Sequence, residues 1–283
     1  MPFSKDILTG ASGNQGGAAF YEHQIEQSLR FDADNSGTSS RLYRTYGTVS
    51  DQTKFTFSMW VRRSKTYYNG QNTSWNMLMS TGTGVEGGGA AFGFESGGGT
   101  SGGLDNRDRI AWYGHKGSTG GSSTGDDRIA GHWVDTNSWY NIVLRTDTSQ
   151  TSGNRIKYYV NGQGPLERTT QNNPAGNLDN FHVATSVLNI GANTNGGYGI
   201  NAYLADVVYC DGQSLGPTSF GTSKNGVWVP KNPSGLTFGN EGFYLKFEDS
   251  SNFGNDSSGN NNDFSVSSLG ASRQVPDSPT FGE

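Results

Sequence analysis

Cleaving a glycosidic bond takes two carboxylates facing each other across a sugar ring, so the glutamates come first: positions 22, 26, 86, 95, 167, 241, 248 and 283. Only Glu22 and Glu26, four apart, have the even spacing that would put two of them on one face of a strand, and they fall in a stretch that reads as a turn of helix. Glu248 and Asp249 are adjacent, which in a strand sends them to opposite faces. The histidines, at 23, 115, 132 and 182, show no metal-ligand spacing, and Cys210 is the sole cysteine. An internal disulfide and a multi-cysteine metal site are therefore excluded, and Cys210, following Val208 and Tyr209, reads as a small buried hydrophobe.

Oxygen-rich clusters are a stronger signal. Asp32-x-Asp34-x-Ser36-Gly37 has the opening spacing of a cation loop, with glycine for the sharp turn, but Tyr43 stands where the twelfth-position glutamate belongs. Asp256, Ser258, Asn260 and Asp263 form a second cluster. Two readings follow: no required cofactor but a structural calcium ion, or Asx turns whose side chains bond their own backbone.

Aromatic side chains beside amide and charged groups suit a third chemistry, the stacking and hydrogen bonding that hold a saccharide. Trp60 and Trp139, with Asn141 and Arg145, are one candidate platform, and Tyr67, Tyr68 and Trp75 are another. The competing reading is that the two tryptophans fill a second buried face and the tyrosines meet a neighbouring subunit.

These residues need strands to position them. KFTFSMWVRR (54–63) puts Phe55, Phe57, Met59 and Val61 on one face and Thr56, Ser58 and Trp60 on the other, the period of a half-buried strand. Further strands are predicted at 28–31, 77–80, 91–94, 109–113, 139–145, 155–160, 187–191, 203–210, 226–230 and 243–248. YLADVVYC (203–210) is nearly continuous apolar, which suits a strand covered on both faces. Asn161-Gly162 predicts a tight hairpin, because both residues tolerate positive φ. The only hint of helix is one turn in YEHQIEQ (21–27), with Glu22 and Glu26 four apart. Many short strands with turn punctuation predict an all-β, two-sheet antiparallel sandwich over 28–283. Residues 1–27 read as an extended arm, either disordered or ordered by docking on a neighbour through Phe3, Ile7, Leu8, Phe20 and Tyr21.

Bulk properties narrow the partners. Only 31% of the 283 residues are hydrophobic and 43 are glycine, but 13 Tyr, 15 Phe and 6 Trp recur inside alternating runs and supply a thin aromatic core. A net charge of −5 without a basic cluster argues against nucleic acid. No apolar leader and no long apolar run occur, so the sequence predicts neither a signal peptide nor membrane insertion.

In order, SLRFD (28–32), FTFSMWVRR (55–63), WYNIVLRTDT (139–148), NRIKYYVNGQ (154–163), LNIG (188–191) and AYLADVVYCDGQSL (202–215) resemble the laminin-G-like branch of the concanavalin A-like lectin/glucanase jelly rolls. GVWVPK (226–231), GFYLKFED (242–249), DSSGNNNDF (256–264) and DSPT (277–280) resemble the form of that domain in structural proteins of marine and cyanobacterial bacteriophages. The resemblance implies a jelly roll whose concave sheet presents a glycan groove. It also implies a place on the virion surface after synthesis in the host cytoplasm, homo-oligomerisation, and virion partners reached through the arm.

Glucanases of that superfamily carry a Glu-x-Asp-x-x-Glu strand motif, which no glutamate here heads, so the expectation is a non-enzyme. Capsid decoration, with adsorption to host polysaccharide, is the expected role. A tail-fibre adhesin is the alternative, set back by the absence of any heptad or repeat to build a shaft.

Overall fold

The computed structural model describes residues 20–33, 38–66, 75–82, 89–95, 108–114, 126–170 and 185–280. Seventeen strands run through them: β1 (Ser28–Phe31), β2 (Arg41–Thr45), β3 (Lys54–Arg63), β4 (Trp75–Thr81), β5 (Ala90–Glu95), β6 (Arg109–Gly114), β7 (Asp126–Ile129), β8 (Tyr140–Asp147) and β9 (Ile156–Val160), then β10 (Arg168–Thr170), β11 (Val187–Ile190), β12 (Ala202–Asp211), β13 (Gly221–Lys224), β14 (Val227–Pro230), β15 (Phe243–Leu245), β16 (Ser265–Ser267) and β17 (Gln274–Val275). The fold is all-β, with two large antiparallel sheets packed as a jelly-roll sandwich. One sheet has the order β17-β1-β12-β3-β8-β9, with β15 also on β12; the other has the order β10-β7-β6-β5-β4-β11-β2-β16.

β3 and β12 are the central pair of the first sheet, in register from Ala202 opposite Arg63 to Asp211 opposite Phe55. Phe55, Phe57, Met59 and Val61 point inward and are fully buried, as the alternation predicts. Across the core they meet Phe92, Phe94, Ile110 and Trp112 of the second sheet. An aromatic column ties the layers to the C-terminal segment: the Tyr209 ring lies 5.4 Å from those of Phe55 and Phe243, and Phe243 lies 4.8 Å from Phe264. Each such burial is worth about 1.5–3 kcal/mol against exposure, which lets a chain this poor in aliphatics hold a core.

The outward face of the first sheet is covered as well. Val143, Tyr159, Val208, Cys210 and Tyr244 lie beneath Phe220 and Phe238, with Leu215 and Leu236 packed alongside. Burial and the neighbouring Asp211 push the Cys210 thiol up to about 12, as befits an inert core residue. Beside this cluster, Trp60 and Ala205 are covered by Ile25, with Trp139 and Trp228 packed against them. Trp228 belongs to the separate β13–β14 hairpin. Its ring lies against Gly162 and Gly221, where a Cβ would come within 2.3 and 2.5 Å of it, and its Nε1 donates to Asn141 Oδ1 at 3.0 Å.

Three local expectations change. The Asn161-Gly162 turn forms with φ of 49° and 73°, but the return is a single bridge, Val160 to Gln163. Residues 21–27 contain no helical turn. They run along the sandwich, where Ile25 N donates to Thr280 Oγ1 at 2.9 Å and that hydroxyl donates to Ile25 O at 3.0 Å. The predicted strand at 243–248 stops at Leu245, and Phe247 adopts φ 61°.

Candidate functional site

β12 does not run straight. Its register against β3 shifts between Ala205 and Val208, and Asp206, in the bulge, has φ 43°. The bulge falls where β1, which pairs with Ala202 to Leu204, gives way to β15, which pairs with Val207 to Tyr209. Bulges re-aim side chains, and this one sends a carboxylate into the covering layer. Asp206 is 6% exposed. Its Oδ2 lies 2.7 Å from His23 Nε2, and its Oδ1 accepts from the Tyr244 hydroxyl at 2.8 Å. Burial, then the Asp206 charge and hydrogen bond, hold the Tyr244 phenol well above its ordinary range, so it stays a donor. His23 is thereby pinned, and the segment from Phe20 to β1 is fixed with it.

That pinned segment is one wall of a cleft of about 610 Å³, within the usual range of ligand pockets. Phe20, Glu22 and His23 line this side, and Thr218, Gly221, Thr222, Lys224 and Val229–Asn232 line the other. The second wall stands on the β13–β14 hairpin, closed by Asn225 and Gly226 at φ 53° and 82° and seated by Trp228. Lys231 N donates to Phe220 O at 3.0 Å, which ties the strand end to the buried cluster. Across the opening Lys224 Nζ lies 3.9 Å from a Glu22 oxygen and 5.8 Å from the Phe20 ring centre. The floor and rim thus combine an aromatic ring, hydroxyls, an amide and three kinds of charged or ionisable group.

The residues singled out in the sequence are dispersed. Trp60 is 5% exposed and Asn141 is 1% exposed, so neither is an open platform. Asn141 Nδ2 donates to Ser58 Oγ and Met59 O, both at 3.3 Å. Ile25 and Trp228 of the covering layer are the reason: Trp60 packs with Ile25, and Trp228 packs against them and bonds Asn141. Trp139 is half-buried at the edge, its Nε1 donating to Asp277 Oδ1 at 3.3 Å and its ring 5.9 Å from the Arg62 guanidinium. Arg145 Nε donates to Ser214 Oγ at 2.8 Å.

Trp75 is not a loop residue but opens β4 on the outward face of the second sheet. It is 4% exposed and packs 6.1 Å from the Tyr113 ring. Tyr67, Tyr68, Asp34, Phe3, Ile7 and Leu8 lie outside the described residues. Phe20 and Tyr21, expected to dock the arm elsewhere, form an edge-to-face pair 4.9 Å apart, with Phe20 lining the cleft.

In the second oxygen cluster the side chains bond the backbone of their own turn. Asp256 Oδ1 accepts from Tyr244 N and Ser258 N, and its Oδ2 accepts from Ser258 Oγ and Asn262 N, all at 2.7–2.9 Å. Asp263 Oδ1 accepts from Asp256 N at 2.8 Å. Asn260 Nδ2 donates to Gly239 O at 2.6 Å and to Gly242 O at 2.9 Å. Asp32 pairs with Arg30 at 3.2 Å and with Arg273. Among the described residues no group of three or more His, Cys, Asp or Glu is placed to hold a metal.

The sequence reading missed most of the cleft. One signal was there: Asn225-Gly226, a second hairpin dipeptide, sits between TSK and VWVP and announces the wall that carries Lys224 and Lys231.

Among solved structures, the chain is similar to a Bacteroides ovatus protein described as carbohydrate binding, with 13% identity and a TM-score of 0.48 over 87% of this chain and 61% of that one. The chain thus spans about three-fifths of that protein. It is also similar to the heptameric SAP-like pentraxin of Limulus polyphemus, with 10% identity and a TM-score of 0.42 over 70% of this chain and 80% of that one. A third is the Trypanosoma rangeli sialidase, with 16% identity and a TM-score of 0.36 over 71% of this chain and 33% of that one. No curated protein sequence matches the chain. Residues 32–213, well over half of it, match the family model of the concanavalin A-like lectin/glucanases superfamily, and the chain belongs to that family.

Proposed function

We propose that this protein is a non-enzymatic saccharide-binding protein and that its ligand site is the cleft between residues 20–23 and the β13–β14 hairpin. The observation that carries the reading is the cleft itself: a ligand-sized recess lined by Phe20 and by hydroxyl, amide and charged groups, on a family fold that carries lectins as well as glucanases. The glutamates support the non-enzymatic half. Glu95 takes two bonds from Arg128, at 2.5 and 2.9 Å, and Glu241 pairs with Arg44 at 2.9 Å. Carboxylates whose oxygens are taken up by an arginine are not free to face each other across a sugar ring.

A glycan array followed by titration of the best hits tests the site. Phe20→Ala should weaken binding about three- to tenfold, the worth of one aromatic contact. Binding that survives both Phe20→Ala and Asn232→Ala unchanged would place the ligand elsewhere.

The finer reading is that the protein decorates a bacteriophage capsid or head fibre, with a tail-fibre adhesin as the second. The support is the ordered C-terminal blocks GVWVPK, GFYLKFED, DSSGNNNDF and DSPT, which resemble phage structural proteins. Residues 20–27 are packed into the body, so the part of the arm available to other virion proteins ends before Phe20. A chain lacking residues 1–19 should keep its melting temperature and fail to cosediment with particles. Undiminished incorporation would exclude docking by this segment.

A further inference from the structure

We infer that the cleft selects anionic saccharides, those bearing a carboxylate or a sulfate ester, over neutral ones; this rests on the reading of the cleft as the saccharide site. The argument is one of charge placement. The chain as a whole carries −5, with 25 acidic residues against 20 basic. The cleft reverses that balance: Lys224 and Lys231 line it against a single carboxylate, Glu22, while the His23 ring faces the Asp206 carboxylate behind it. A recess of one sign in a molecule of the other concentrates ligands of opposite charge there, because low-dielectric walls focus the field.

The two lysines are held in different ways. Lys231 lies on an exposed strand end, its Nζ 3.4 Å from Thr218 O, a contact to a neutral acceptor that leaves its charge unneutralised. Lys224 has its Nζ 3.9 Å from Glu22, whose side chain is 84% exposed, at the outer limit of an ion pair and in solvent. Such a contact is worth between nothing and about 1 kcal/mol, so a ligand anion seated deeper in the cleft displaces it at little cost. Phe20, 5.8 Å from Lys224 Nζ, sets an aromatic surface next to the cation. A uronate or sulfated sugar presents that same combination in reverse, an apolar C–H face beside an anion. Glu22 thus acts as a stand-in for the ligand's own charge.

The test is calorimetric titration of the full chain with trigalacturonate, with neutral galactotriose, and with a sulfated galactose trisaccharide. At about 20 mM salt at least one of the two anionic trisaccharides should bind about tenfold tighter than galactotriose, and the preference should shrink at about 300 mM, where the screening length falls to about 5–6 Å. Carboxylate and sulfate arms identify which anion fits. Lys231→Gln, at an exposed position, should remove several-fold of the preference without disturbing the fold. Lys224→Gln together with Lys231→Gln should abolish it, and Glu22→Gln should raise the affinity for the preferred anion. Equal affinity for neutral and anionic trisaccharides would overturn the inference and leave saccharide binding standing. Absence of binding to all three, with none on the array, would overturn both.

Discussion

Replacing Arg63 by methionine is expected to cost about 3–5 kcal/mol of stability, the penalty for stranding one partner of a buried ion pair. Arg63 closes the inward face of β3 and is fully buried. Its guanidinium meets Asp108 Oδ1 at 2.6 Å and donates to Trp133 O at 2.9 Å, with the Phe94 ring centre 4.4 Å away. Burial pulls its pKa down even against the Asp108 charge, which measures how costly the site is for a cation. The pair survives because each charge answers the other. Take the arginine away and Asp108, 5% exposed, loses its counter-charge. Urea unfolding should show the midpoint falling at constant slope. The double substitution Arg63→Met with Asp108→Asn should recover most of the loss, since a neutral pair needs no desolvation of charge. Asparagine also suits φ 56° at position 108. A single variant as stable as the parent would show that the pair is not what holds this end of the sandwich.

Arg63 also marks what a sequence can and cannot disclose. The period-two pattern of 54–63 correctly puts Phe55, Phe57, Met59 and Val61 inside, and by the same count puts Arg63 there, but nothing local says that a charge will be fully buried. Its partners come from residues 76, 108 and 133, distant in the chain. β12 was legible because both its faces are apolar. β2 was not, because its inward positions are Leu42 and Arg44, the latter satisfied by Glu241 and Asn262, 197 and 218 residues on. β13 reads GTSK and has no hydrophobic signature at all; it exists because Trp228 across the hairpin seats on Gly162 and Gly221. The same non-local covering explains the site. Trp60 on β3 and Trp139 just before β8 look like a platform until Ile25 and Trp228 are packed in with them. Only the tertiary fold makes a cleft from Phe20 and Lys231.

Asp206→Ala is expected to unlock the cleft and to cost about 2–5 kcal/mol. Roughly 1–2 of that is backbone, because alanine at φ 43° lacks the side-chain bonds that let aspartate occupy the left-handed region. The rest comes from the Tyr244 hydroxyl, which loses its 2.8 Å acceptor in a buried place, at about 1–3 kcal/mol. His23 is released at the same stroke. Asp206→Gly separates the two parts: it relieves the backbone and keeps the lost bonds, so it should be the more stable of the two and equally unlocked. The reporter is local. Amide exchange across residues 22–27 should accelerate in both variants while β3 and β8 stay protected, and chymotrypsin should cut at Phe20 or Tyr21 faster than in the parent. Saccharide affinity should fall in parallel, because one wall of the cleft is then no longer fixed. If exchange in 22–27 is unchanged, Ile25 and its Thr280 contacts hold the segment by themselves and the bulge at Asp206 plays no part in the site. If the segment opens but affinity persists, the ligand does not touch this wall, and the cleft is not where saccharide binds.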